Sequence, residues 1–202
     1  MTSYAYDARI SAETAQEVLM AFGISERTPE YDRWVRDDGF RPVDLVDVLA
    51  PSKRLFAFDH RGDLQEFLVA LGEALRSHGI ESTIGATRYG NNRTHAAISI
   101  DRETVNFELN QGELIALEDK LSKIEVASSR SLRFWISGDG TDTVGLAILE
   151  QETWKNLEAL DATLVEYLFG KPITRARSLS FPASLKRLFT FLSGKAATTT
   201  SQ

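Results

Sequence analysis

The sequence predicts an α+β domain: an antiparallel sheet of about five or six strands with helices packed on one face, preceded by a small helical N-terminal segment. Three observations predict it. Leu64, Phe67, Leu68, Leu71 and Leu75 recur at the spacing of an amphipathic helix, and Trp154, Leu157, Leu160, Leu164 and Leu168 repeat the pattern. Between them lie five stretches of strict apolar and polar alternation, separated by turn residues. From residue 63 onward the order is therefore helix, three strands, helix, two strands, helix, which places helices against an antiparallel sheet.

Taken in order, Ser11 is a helix cap, Ala15, Val18, Leu19 and Phe22 form an apolar stripe, and Gly23 is a stop. Thr28 and Pro29 open a second helix, because proline loses nothing by lacking an N–H in the first turn; Gly39 closes it, with Tyr31, Trp34 and Val35 on one side. Pro42–Ala50 is ambiguous in period and ends at Pro51. Leu55–Asp59 is a short strand, and Asp63 with Glu66 three residues later starts the first strong helix, which runs to about Gly79. Ile80, Ser82, Ile84 and Ala86 then alternate, as do Ala96, Ile98 and Ile100, and Val105, Phe107 and Leu109, with turns at Gly90-Asn91-Asn92 and Asp101-Arg102. Leu114, Leu117, Leu121 and Ile124 suggest a helix, with a short strand over 113–117 as the alternative. Leu132, Phe134 and Ile136 face Val144, Leu146 and Ile148 across Gly138-Asp139-Gly140, and a long helix from Glu152 to Phe169 ends at Gly170 and Pro172.

This order, over residues 63–169, resembles that of bacterial type III secretion chaperones, which are small acidic proteins. The resemblance is one of element order and implies fold alone.

Charge divides the chain differently. Of 23 Lys plus Arg and 29 Asp plus Glu in 202 residues, the stretch 171–202 holds six basic residues and no acidic one. The other 170 residues keep 17 basic against 29 acidic, a body at −12 beside a tail at +6. The expected organisation is a helical arm over 1–50, an α+β domain over 51–170, and a basic tail over 171–202 with a short amphipathic helix and a disordered end. The absence of cysteine excludes disulfides, thiolate metal sites and thiol nucleophiles, and fits a reducing, cytoplasmic setting. Neither a leader-like N-terminus nor a membrane-length apolar run is expected.

Several segments invite a functional reading. Glu17–Thr28, continuing to Trp34 and Gly39–Pro42, resembles a helix-turn-helix of the excisionase or MerR type, in which Gly-Ile-Ser joins two helices and Arg-Thr precedes a helix carrying Trp. That implies DNA binding. Five residues rather than about three separate Thr28 from Trp34, and the second helix carries Glu30, Asp32, Asp37 and Asp38, which phosphate would repel. A plain helix pair packed by Phe22 and Trp34 is the expectation.

His60 and Arg61 sit where a strand hands over to a helix, a place that favours anions, but Asp63 already occupies the cap. Arg61-Gly62-Asp63 is a chance match to an integrin tripeptide. A two-residue turn at Asp101-Arg102 places His95 opposite Glu108, the pairing of an imidazole with a carboxylate that a general base needs; a cross-strand charge pair is the commoner use. Asp139-Gly-Thr-Asp142 lacks the ligand spacing of a calcium loop. No catalytic residue, metal site or cofactor is expected.

The tail is the expected binding element. Leu185, Leu188, Phe189 and Leu192 stand at i, i+3, i+4 and i+7, with Lys186 and Arg187 on another side. Such a helix docks in a partner groove, lies on an anionic membrane, or covers the acidic body. Upstream, Arg175-Ala-Arg177-Ser178-Leu-Ser180-Phe-Pro182 resembles a basophilic kinase site and the ligand of phosphoserine-binding 14-3-3 adaptors. The expected function is a non-enzymatic protein-binding module: adaptor, chaperone-like or regulatory. A nucleic-acid-associated regulator is the alternative, and a hydrolase or transferase around His60 or His95 comes third.

Overall fold

The computed structural model describes residues 10–24, 32, 48–59, 62–111, 113–137 and 143–173. Helix α1 (Ala12–Ala21) begins as its sequence dictates: Ser11 Oγ accepts from the Thr14 N–H at 3.1 Å, satisfying one of the donors that a helix start leaves unpaired. Gly23, at φ +77°, turns the chain out of it. A 3-10 turn at Ala50–Ser52 leads into β1 (Leu55–Asp59) and then α2 (Leu64–Ser77). Asp63 caps α2, but its carboxylate accepts from Gln65 N–H at 2.9 Å. The second oxygen of Asp63 accepts from the Tyr89 hydroxyl at 3.1 Å, which ties the helix start to a neighbouring strand.

After α2 come β2 (Ser82–Ile84), β3 (Arg88–Gly90), β4 (Arg93–Ile100), β5 (Glu103–Asn110) and β6 (Glu113–Leu114). Helix α3 (Leu117–Ala127), β7 (Leu132–Ser137), β8 (Thr143–Glu150), α4 (Gln151–Phe169) and β9 (Lys171–Pro172) complete the described order. The expected order from residue 63 holds, with the short β3, β6 and β9 added. Both the helix and the strand alternatives over 113–124 are realised in turn, as β6 and α3. Of the second N-terminal helix expected over 28–39 only Asp32, which is helical, is among the described residues.

The class is α+β with antiparallel pairing, as expected, but the strands divide into two sheets. One has the order β1-β8-β7-β9; in the other β4 is flanked by β5 and, on its far side, by β2 and β3 at opposite ends, with β6 beyond β5. The division has a physical cause. β6 is only two residues long, and α3 follows at once and packs against both β5 and β7, so a helix stands where a continuous sheet would need a strand.

Helices cover both faces of the first sheet, because successive side chains of its central strands point to opposite sides. Leu146 and Ile148 of β8 and Leu132 and Phe134 of β7 enter one core with α2, α3 and the second sheet. Ala147 and Leu149 of β8 and Trp135 of β7 enter another with α1 and α4. Burial on both faces explains why β8 is almost wholly apolar. Phe67 of α2 is the hub of the first core, with ring centroids 5.2 Å from Phe58 in one sheet and 5.6 Å from Phe107 in the other. In the second core Trp135 stacks on Trp154 at 4.7 Å and Phe22 on Phe169 at 5.2 Å, so α1 is fastened to α4 by aromatic contact.

Candidate functional site

Among the described residues the buried ionisable groups, His78 and Glu125, both meet main-chain polar atoms. Phe134 and Ile148 are cross-strand partners in β7 and β8, and their peptide groups point away from each other, one toward each flank of the pair. On one flank β1 begins only at Leu55, so Arg54 and His78 complete the ladder: Ile148 N–H donates to the Arg54 carbonyl at 2.8 Å, and His78 Nε2 lies 3.0 Å from the Ile148 carbonyl oxygen. On the other flank β9 reaches only Trp135 and Ile136, and Glu125 of α3 accepts the Phe134 N–H at 2.8 Å. His78 is 6% exposed and Glu125 5%.

A neutral imidazole protonated at Nε2 makes the His78 bond. Burial lowers the pKa of His78 below its ordinary 6.5; the bond to Ile148 opposes this, Arg54 adds to it, Glu150 opposes and Arg130 adds. Arg54 itself donates to the Ala21 carbonyl at 3.3 Å and the Ser77 carbonyl at 3.4 Å. One guanidinium thus joins the C-terminal ends of α1 and α2, where unpaired carbonyls and the helix dipole favour a cation. His78, Glu125 and Arg54 are cross-braces between helices and sheet.

A different kind of site lies between α1 and α4. Glu13, Glu17 and Met20 on α1 and Thr153, Asn156, Leu157 and Leu160 on α4 stand at helical spacing and line a groove of about 530 Å³. Two apolar residues of the lining stay open to water: Met20 is 48% exposed and Leu160 45%. Leu160 is the last residue before a break in α4 at Asp161, which leaves helical geometry (φ −158°, ψ 93°) and whose carboxylate accepts from the Leu164 N–H at 2.9 Å, restarting the helix. Among the described residues the lining carries two carboxylates and no basic residue. A second groove, of about 690 Å³, runs between β5 and α3 and mixes Glu103 and Asp119 with Lys120 and Lys123 around Val105 and the 84% exposed Val126.

No protein family, curated protein or solved structure matches this chain.

Of the residues singled out in the sequence, His95 is in place: it stands on the solvent face of β4 opposite Glu108 in the expected register. Glu108 is held at 3.2 Å by Arg93, so the carboxylate that would orient the imidazole is already engaged by a guanidinium. Among the described residues no cluster of His, Asp and Glu has metal-binding geometry. His60, Arg61 and the loop Asp139–Asp142 lie outside the described residues, as do Arg175, Arg177, Leu185, Lys186, Arg187, Leu188, Phe189 and Leu192. The groove escaped the sequence because its walls are some 130 residues apart. Its local signal was Met20, an apolar residue outside the expected stripe of α1; Leu160 was expected in the buried stripe of α4, and the structure leaves it exposed.

Proposed function

We propose that this chain is a non-enzymatic, cytoplasmic protein-binding module, adaptor, chaperone-like or regulatory in role, whose α1/α4 groove receives a cationic amphipathic helix of a protein partner. The observation that carries it is the groove: among the described residues its lining has two exposed apolar side chains, two glutamates and no basic residue. Apolar side chains that stay open to water favour a partner that removes them from it, and the carboxylates select a basic one. The engagement of His78, Glu125 and Arg54 with main-chain groups supports a binding rather than a catalytic role.

The test compares partner capture from native lysate by the full chain, by Met20→Lys with Leu160→Lys, and by Val126→Lys in the other groove. Loss of specific partners with the first variant and their retention with the second is expected. Capture of the same partners by all three proteins would refute the groove as the binding site.

A further inference from the structure

We infer that the chain carries its own competing ligand: the stripe Leu185, Leu188, Phe189 and Leu192 docks in the α1/α4 groove and closes it to partners. This rests on the groove being a helix-binding site and adds its regulation.

Three observations select this occupant. Charge is the first: the groove presents Glu13 and Glu17, the chain beyond Ile173 has five basic residues and no acidic one, and Lys186 and Arg187 flank the apolar stripe. Length is the second. The α1 wall runs from Glu13 to Met20 and the α4 wall from Thr153 to Leu160, each seven residues on, and Leu185 to Leu192 spans the same interval. At 1.5 Å per residue each wall is about 10 Å long, the length that the tail stripe would match as a helix. Reach is the third. The described chain ends at Ile173, beyond the C-terminus of α4, and Leu157 lies twelve residues back from Phe169 across the break at Asp161, on the order of 18 Å at the helical rise. Residues 174–184 supply eleven residues before Leu185, up to about 36 Å when extended, which covers the return with slack.

Cross-linking in the full chain tests this directly, since the protein has no cysteine and an engineered pair supplies its only thiols. Met20 and Val126 are exposed, so Met20→Cys and Val126→Cys leave both cores intact. Met20→Cys with Leu188→Cys is compared with Val126→Cys with Leu188→Cys, in which the same tail residue can collide with the other groove. The intramolecular disulfide at Met20 should form at least tenfold faster, and Glu13→Lys with Glu17→Lys should remove most of that advantage. Equal rates for the two pairs would overturn tail docking, and disulfide-linked dimers in place of the intramolecular bond would overturn it in favour of a second copy as occupant. Equal rates together with partner capture that still depends on Met20 and Leu160 would reject the self-ligand alone. Capture independent of those residues rejects the groove itself.

Discussion

At the scale of single residues the molecule spends its buried polar groups on the ends of a sheet. His78 supplies the donor that a longer β1 would have supplied, and Glu125 the acceptor that a longer β9 would have supplied. Replacing His78 with Leu leaves the Ile148 carbonyl unpaired and should cost about 1–3 kcal/mol in denaturant unfolding at pH 7.5. The pH dependence follows from the lowered pKa. Above the unfolded value of 6.5 both states hold a neutral imidazole and the bond stabilises in full; below it the unfolded chain takes up a proton that the folded chain resists, so stability falls with pH. Between about pH 7 and 5 the native protein should therefore lose stability more steeply than His78→Leu. Parallel slopes for native and His78→Leu would contradict this. Glu125→Ala should likewise cost about 1–3 kcal/mol, and Glu125→Gln less, because its amide oxygen still accepts from Phe134.

At the scale of elements, the turn after α4 leaves less room for a side chain than any other described glycine position. A Cβ on Gly170 would sit 1.9 Å from the Ile136 carbonyl oxygen, and its φ of +77° is one that glycine alone adopts freely. Gly170→Ala should displace β9 from β7 and lower the melting temperature by at least about 4 °C, taking about 2 kcal/mol or more for strain and clash. Phe22→Ala should cost about 3–5 kcal/mol by emptying the ring site between Trp154 and Phe169. Its effect should be local: hydrogen exchange should quicken in α1 and α4 and stay slow in β4 and β5, whose side chains belong to the other core.

These elements differ in how far the sequence announces them. Ser11, Asp63 and the Asp101-Arg102 turn act within a few residues of where they stand, so caps, helix bounds and even the His95–Glu108 register were legible. The pairing of β1 with β8, the division into two sheets and the walls of the groove join segments about 90 to 130 residues apart, and alternation alone specifies which face of a strand is buried, not which strand lies beside it. His78 was hidden in the helix stop at Gly79, where a residue before the glycine usually serves only the turn; its distant partner, the Ile148 carbonyl, leaves no mark on a side-chain pattern.

At the scale of the whole molecule, charge decides which macromolecules can approach. The first 170 residues carry −12, and residues 171–202 carry +6. Duplex DNA would gain from the tail and lose against the body, and each phosphate contact made by the tail weakens as salt rises. If the tail lies in the groove, Lys186 and Arg187 already face Glu13 and Glu17 and are further withheld from phosphate. We therefore expect no binding of duplex DNA by the full chain at micromolar protein in about 150 mM salt, read by fluorescence anisotropy. Glu13→Lys with Glu17→Lys, which frees the tail and adds four units of positive charge, should raise DNA affinity at low salt. Tight, steeply salt-dependent binding by the native chain would instead make nucleic acid the partner and the basic tail its contact.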